Sequence, residues 1–477
     1  MPPKKIERRS FVLGAGAAAS VAVAGPGFGK STSKSRAPNI VFIMADDLGY
    51  ADLCCYGNSS VRTPAIDSIA EHGVRFLQGY ANSAVCSATR TALITGRYQY
   101  RLPIGLEEPL AHISPDVGIP HDHPTLPSLL RAAGYRTALV GKWHLGKPPN
   151  YGPLASGYDE FAGMRTGATD YFSHRNVVGQ PDLWRNDAPW VVEGYLTNVL
   201  GEEAAHFIER CVADDAPFFL SLHFNAPHWP WEGPDDKAES DRIAGTKLRH
   251  LDGGALETYY RMIEAMDGEV SRVLKTLKRL KLQKDTIVVF TSDNGGERFA
   301  KTWPFSGQKT ELLEGGLRVP AVMSWPSVLP RGKTSEQPMI TMDWLPTLLA
   351  AANLKPNPDY PSDGIDLLPL LGGTPLERAF YWRYKANHQR AARRGDFKYL
   401  KILENEYLFD VEADPLERAN LKGRMPDLFA ELKQSWKDWN RAMLPEIEES
   451  FTEGVTAKDQ ADHIGAGPAV DTPDIVD

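Results

Sequence analysis

Cysteine is scarce in this chain: Cys54, Cys55, Cys86 and Cys211 are the only four in 477 residues. So few exclude a disulfide scaffold, and the adjacent Cys54 and Cys55 would bridge each other only under strain. Their spacing matches no zinc site. Basic charge is not in excess either. Lys and Arg number 53 against 61 Asp and Glu, a net charge of −8, and the pI is near 5.9. That balance lacks the basic face which neutralises phosphates, so it argues against nonspecific nucleic-acid binding. It leaves room for a locally basic pocket that takes one anionic ester. Beyond the N-terminus no apolar run reaches the ~18 residues a membrane span needs. No internal repeat is visible.

What is present is a large apolar content, 42% hydrophobic and 10% aromatic. That is ample for a sizeable core, and the length suggests two or three domains. The N-terminus reads as a leader: Lys4, Lys5, Arg8 and Arg9, then a weakly apolar stretch, then Ala22-Val23-Ala24 as a cleavage site. Arg8-Arg9-Ser10-Phe11-Val12 resembles a twin-arginine export signal; the alternative is an ordinary secretory signal with a chance arginine pair. Either predicts an exported, periplasmic protein that meets the export machinery, with a signal over 1–24 and a Ser- and Lys-rich linker over 25–38.

Continuous apolar runs at 40–44, 137–140, 218–224, 287–290 and 319–323 predict strands buried on both faces. Helical patterns fall between them at 126–133, 196–212 and 256–280. In the last, Met262, Ile263, Met266, Val270, Val273, Leu274 and Leu277 recur at i, i+3, i+4 spacing. The fold class is therefore α/β: a large, mainly parallel or mixed sheet flanked by helices. After 341 the pattern changes to a short helix at 343–351, a Pro- and Gly-rich stretch, short strands at 380–384, 397–402 and 407–409, and a helix at 425–439. These predict a smaller C-terminal antiparallel sheet plus helix. The expected division is a catalytic region over 39–340, a C-terminal subdomain over 341–453 and a polar, loose tail over 454–477.

Ligands of such sheets bind beyond the carboxyl ends of the strands, and polar clusters stand there. Asp46-Asp47 closes the first strand. Adjacent carboxylates repel each other unless a cation lies between them, although an Asp pair also suits a solvated turn or a helix cap. Asp293-Asn294-Gly295-Gly296 closes a later strand, and Asn-Gly is also a common turn pair. Both sets supply oxygen ligands, which favour calcium or magnesium over zinc, and calcium tolerates the irregular geometry of ligands from separate strands. Cys86 lies in the C-x-A-x-R string of Cys86-Ser87-Ala88-Thr89-Arg90, followed by Thr95-Gly96-Arg97. Alone, it would read as a buried structural cysteine. Further clusters are Gly141-Lys142-Trp143-His144-Leu145-Gly146, Ala226-Pro227-His228, and Lys309 followed by Glu314-Gly315-Gly316-Leu317-Arg318-Val319-Pro320. Singly, Lys142 and Lys309 suit a surface, His144 and His228 a structural hydrogen bond, and Arg90 a helix flank. Gly315-Gly316 reads as a turn and Arg318 as a structural ion-pair partner.

Taken in order, these places resemble the formylglycine-dependent sulfatases of the alkaline-phosphatase superfamily, closely over 39–320 and in outline beyond. The resemblance implies that a maturation enzyme oxidises Cys86 to formylglycine (3-oxoalanine), whose hydrate is the nucleophile. It implies that Asp46, Asp47, Asp293 and Asn294, with residue 86 as formylglycine, hold a divalent ion, calcium in preference to magnesium. It casts Arg90 as stabiliser of the hydrate, Lys142 and Lys309 as sulfate clamps, His144 as the base and His228 as the acid for the leaving alcohol. Ala88 stands where many relatives carry proline, a change the family accepts. The chemistry has a reason: a serine attacking sulfur would remain as a stable sulfate ester, whereas a hydrated aldehyde has a second hydroxyl with which to expel sulfate.

Export and aromatic loops point to a sulfated carbohydrate, with an aryl sulfate as a proxy substrate. The candidate binding residues are Tyr100, Arg101, Asp170, His174 and Trp229, with Tyr98, Tyr171 and Trp231 nearby in sequence; plain loop packing is the competing reading for each. Two other functions remain: a phosphodiesterase or phosphonate monoester hydrolase of the same superfamily, and a glycan-binding protein never converted at Cys86.

Overall fold

Asn39–Ala45 is a seven-residue strand, β1, with every residue buried. Its alternate residues feed two separate cores. Val41, Ile43 and Ala45 face one layer of helices, and Ile40, Phe42 and Met44 face the other. That is why the run is apolar without alternation. In this computed structural model, residues 37–243, apart from 112 and 114, and 253–454 are described. The expected signal, nearly all of the linker and the tail beyond Gly454 lie outside the described residues.

The remaining strands of the main body are β2 (Val74–Phe76), β3 (Gly79–Tyr80), β4 (Arg136–Gly141), β5 (Glu160–Met164), β6 (Leu183–Arg185), β7 (Ala188–Pro189), β8 (Phe218–His223), β9 (Thr286–Ser292), β10 (Ala321–Ser324), β11 (Lys333–Ser335) and β12 (Met339–Ile340). Nine of them form one ten-stranded sheet with β1, in the order β11-β2-β10-β9-β1-β8-β4-β5-β6-β7, while β12 and β3 pair separately. The central run from β9 to β5 is parallel. Antiparallel pairings enter on both sides of it, at β10 and at β6. The sheet is thus mixed, with a parallel centre.

The helices are α1 (Pro64–Glu71), α2 (Cys86–Thr95), α3 (Leu126–Ala132), α4 (Leu196–Ala213), α5 (Lys237–Ile243), α6 (Leu256–Arg279), α7 (Glu314–Leu317), α8 (Trp344–Ala351) and α9 (Pro426–Asn440). α1, α4 and α6 cover one face through Ile66, Leu200 and Met262. α2, α3 and α8 cover the other through Leu93, Leu130 and Leu348. The Gly315-Gly316 pair, expected as a turn, lies inside the short helix α7.

The C-terminal part is a four-stranded antiparallel sheet, β13 (Ala379–Tyr384), β14 (Gln389–Arg394), β15 (Phe397–Ile402) and β16 (Asn405–Asp410), with α9 packed on it. It shares a hydrophobic cluster with the main body: Val85, Ala88 and Ala92 around α2 meet Phe380, Trp382 and Leu400. Wedged between two sheets, α2 is buried at all ten positions. Its polar residues survive burial by bonding backbone: Thr91 Oγ1 donates to Ser87 O at 2.9 Å, and Thr95 Oγ1 to Thr91 O at 2.7 Å. The described residues form one compact unit.

Candidate active site

Four neighbouring parallel strands, β9, β1, β8 and β4, deliver the polar clusters to one place at their carboxyl ends. Asp46-Asp47 follows β1, Lys142 and His144 follow β4, His228 follows β8, and Asp293-Asn294 follows β9. Gly141 is required at the end of β4: its φ is 114°, and a Cβ there would lie 1.8 Å from His223 O. This close approach lets Lys142 N donate to His223 O at 2.8 Å. Two site residues take left-handed backbone, Asp47 at φ 60° and His144 at φ 56°, a conformation that persists where surrounding structure enforces it.

The first turn of α2 brings Cys86 and Arg90 to the same spot. Asp46, Asp47, Cys86, Arg90, Lys142, His144, His228, Asp293, Asn294 and Lys309 are each at most 5% exposed. Arg90 donates from Nε and Nη2 to Asp293 Oδ2 at 3.0 and 2.8 Å, and from Nη1 to Lys142 O at 3.3 Å. Lys142 Nζ donates to Asp46 Oδ2. Lys309 Nζ donates to Asp47 Oδ2 at 2.8 Å and lies 3.3 Å from His228 Nε2. Two ammonium groups therefore pair with the two adjacent carboxylates, one on each.

The oxygen ligands have room for a cation. One ligand atom each from Asp46, Cys86 and Asp293 lies within 4.8 Å of the others, as does one each from Asp46, Asp47 and His228. Asp46 Oδ1 and Asn294 Oδ1 are buried with no hydrogen-bond partner. Asn294 Nδ2 donates to Asp47 Oδ1 at 2.7 Å, which leaves its Oδ1 as the unused acceptor. Burial, then repulsion from Asp293, pushes the Asp46 carboxyl well above its ordinary range. A buried acceptor without a donor costs about 1–3 kcal/mol, and a hard divalent cation satisfies these oxygens at once. The residues present fit such an ion.

The two histidines are oriented differently. His144 Nε2 hydrogen-bonds Leu110 O at 2.8 Å, so that nitrogen carries the proton. Its bare Nδ1 then faces Cys86 Sγ at 3.3 Å. His228 hydrogen-bonds Trp229 O through Nδ1 at 2.6 Å, which turns Nε2 toward Lys309 and Asp47. Burial, then Lys142, lowers the pKa of His144, and burial, then Lys309, lowers that of His228. Burial pushes the Cys86 thiol up to about 11. An unmodified thiol there stays protonated and is a poor nucleophile.

Residues 38–354 match the family model described as Sulfatase. The chain belongs to the sulfatase family. N-acetylgalactosamine-6-sulfatase of Sus scrofa is 35% identical over 393 residues, 77% of this chain and 72% of that one. The crystal structure of Ps i-CgsB in complex with k-i-k-neocarrahexaose is similar at TM-score 0.78 and 29% identity, over 88% of this chain and 95% of that one. The phosphonate monoester hydrolase of Agrobacterium radiobacter shares the fold at TM-score 0.62 and 22% identity, over 85% of this chain and 95% of that one. The protein is a sulfuric ester hydrolase of the alkaline-phosphatase superfamily, with a sulfated substrate.

Around the sulfatase pocket, most of the expected aromatic rim is interior. Tyr100 is 1% exposed and donates to Glu108 Oε1 at 2.8 Å. Tyr98 and Trp231 are also buried. Arg101 is engaged by Asp363, at 2.7 and 2.8 Å. Asp170 Oδ1 accepts from Phe172 N, Ser173 N and Ser240 Oγ. His174 is buried and hydrogen-bonds Gly194 O at 3.0 Å. Tyr171 is buried but not idle: its hydroxyl donates to Asn225 O and to His228 O at 3.0 and 2.9 Å, fixing the segment that carries His228. Arg101 and Asp170 keep partial exposure; of the aromatic residues, Trp229 stays partly exposed, its ring 4.7 Å from that of His228. Arg318 pairs with Glu314 at 2.7 Å.

Three contributors are not evident from the sequence. His223 Nδ1 lies 3.3 Å from Arg90 Nη1; its signal is a polar residue closing an apolar run. Glu297 Oε2 lies 3.6 Å from Lys309 Nζ; its signal is adjacency to the Asp293 turn. The carbonyl of Leu110, which sets the His144 tautomer, leaves no signal.

Proposed function

We propose that this enzyme hydrolyses the sulfate ester of a carbohydrate, with residue 86 as formylglycine and a calcium ion held by Asp46, Asp47, Asp293 and Asn294. The observation that carries the reading is the bare Nδ1 of His144 facing Cys86 Sγ at 3.3 Å, together with the buried, unpartnered oxygens of Asp46 and Asn294. Formylglycine supplies, as its hydrate, one hydroxyl to attack sulfur and another to expel sulfate. Calcium supplies positive charge for the sulfuryl oxygens.

The chain's own residues do the rest. His144 Nδ1 takes a proton from the group at position 86. Arg90, locked on Asp293, holds a fixed positive charge one helical turn away. Lys142 and Lys309 bracket the space for the sulfuryl oxygens. His228 Nε2 gives a proton to the leaving alcohol, and the bound anion opposes the burial and Lys309 effects that otherwise keep this imidazole neutral.

Sulfate rather than a phosphorus ester is favoured by the sequence likeness to named sulfatases, since the phosphonate hydrolase likeness rests on fold alone. A sugar is favoured by the names of the relatives and the carrahexaose complex, and by partly exposed Trp229 beside His228. The Arg8-Arg9 leader supports export to the periplasm; absence of the activity from a periplasmic fraction contradicts that. Cys86→Ala tests the nucleophile: turnover disappears while the melting temperature holds, and more than trace activity overturns the proposal. A sulfated sugar hydrolysed with a lower KM than an aryl sulfate supports the substrate class, and the reverse opposes it.

A further inference from the structure

Lys309 sits in a loop whose backbone is fixed from three directions. Its own N–H donates to Gly296 O at 3.0 Å, in the turn just after Asp293 and Asn294. The next N–H, of Thr310, donates to Ala84 O at 3.0 Å, two residues before Cys86. The third hold comes from the C-terminal sheet. Gln389, the first residue of β14, accepts from Leu312 N through Oε1 at 2.8 Å and donates from Nε2 to Thr310 O at 2.9 Å.

The amide orientation is forced by chemistry. Nε2 also donates to Ala386 O at 3.2 Å, so it faces two carbonyls while Oε1 faces an N–H. A flipped amide would oppose like groups at all three contacts. Gln389 is 2% exposed and cannot exchange these bonds for water.

Thr310 makes this hold necessary. It is a β-branched residue at φ 71°, in the left-handed region that such residues avoid. That conformation persists only when its surroundings over-determine it. Ala84 fixes the peptide before Thr310, and Gln389 fixes the one after. Relaxation of Thr310 toward ordinary backbone would rotate the preceding peptide and swing Lys309 away from Asp47 and His228.

We propose that Gln389 is a positioning residue through which the C-terminal sheet aims Lys309 into the sulfate pocket. This inference rests on the role of Lys309 as a sulfate clamp in the proposed function. A double-mutant cycle on the matured enzyme tests it, with phenyl sulfate as the probe and kcat and KM measured separately. Gln389→Leu, which keeps bulk but bonds neither partner, lowers kcat roughly tenfold to a hundredfold, the scale of a misplaced catalytic group. In a Lys309→Ala background the same substitution changes kcat by less than about twofold, because residues acting as one unit are not additive. Gln389→Glu, which retains the acceptor for Leu312 but sets its second oxygen against the Thr310 and Ala386 carbonyls, lowers kcat at least as far as Gln389→Leu, and carries the cycle if the leucine variant does not fold. An equal loss from the Gln389 substitution in both backgrounds overturns the inference and marks Gln389 as structural. Full activity of Gln389→Leu overturns it as well. Full activity of Lys309→Ala alone removes the clamp role, and the inference falls with it.

Discussion

Cys86 Sγ and His144 Nδ1 lie 3.3 Å apart, and His144 Nε2 is committed to Leu110 O. A backbone carbonyl thus selects the tautomer that presents a bare nitrogen to position 86. Removal of that nitrogen should leave binding intact and disable proton transfer. His144→Ala is expected to lower kcat by roughly a hundredfold or more, and to slow steady-state turnover more than the first turnover. Stopped-flow detection of alcohol release checks this. Equal slowing of both phases would move His144 out of the base role.

The proposed metal site has a thermodynamic signature. Asp46 Oδ1 and Asn294 Oδ1 have no protein donor, so chelation should lower the melting temperature and added calcium restore it. Asp293→Ala also strips Arg90 of its carboxylate, 2.8 Å away, and leaves a buried charge unpaired. Its expected cost is about 3–5 kcal/mol, with loss of bound metal. Elemental analysis beside thermal melting reads both; unchanged metal content would remove Asp293 from the ligand set.

Glu108 gives a pH dependence of stability. It is 3% exposed, bonded by Tyr100, with Lys385, Arg383 and Glu446 around it. Burial pushes its carboxyl up to about 8 from an ordinary 4.5. The folded protein therefore holds a proton that the unfolded chain releases. The resulting stability is complete below about 4.5 and is lost as pH rises through about 8. Glu108→Gln keeps an acceptor for Tyr100 and has no charge to bury. Above pH 8 it should be more stable than wild type, on the order of 1–4 kcal/mol, with little difference near pH 4.5. Denaturation across that range checks it; a variant weaker than wild type at both ends contradicts it.

β1 is legible in the sequence because seven buried residues leave no polar face to hide its boundaries, and α6 because its apolar stripe repeats at helical spacing. β14 is not. Gln389–Arg394 carries three arginines and no β-branched residue, so it reads as solvated loop. Its Arg393 is nevertheless 2% exposed, held by Gln78 Oε1 at 2.6 Å, a partner more than three hundred residues away. The clusters at Asp46, Lys142, His228 and Asp293 are legible because a parallel sheet gathers at one edge the residues just beyond its strands. The rim is not legible. Tyr100 and Tyr171 look like sugar platforms in sequence, yet Glu108 and the Asn225 and His228 carbonyls draw them inward, and no local pattern announces such partners. The left-handed backbone at Asp47, His144 and Thr310 is equally silent, since each arises from contacts across the fold.

The catalytic role of the pocket depends on the chemical identity of residue 86. Mass spectrometry of the tryptic peptide Phe76–Arg90 from active enzyme measures it directly. The expected result is the aldehyde or its hydrate in place of the thiol, in proportion to specific activity. A fully active preparation in which every copy of this peptide still carries the Cys86 thiol would contradict it.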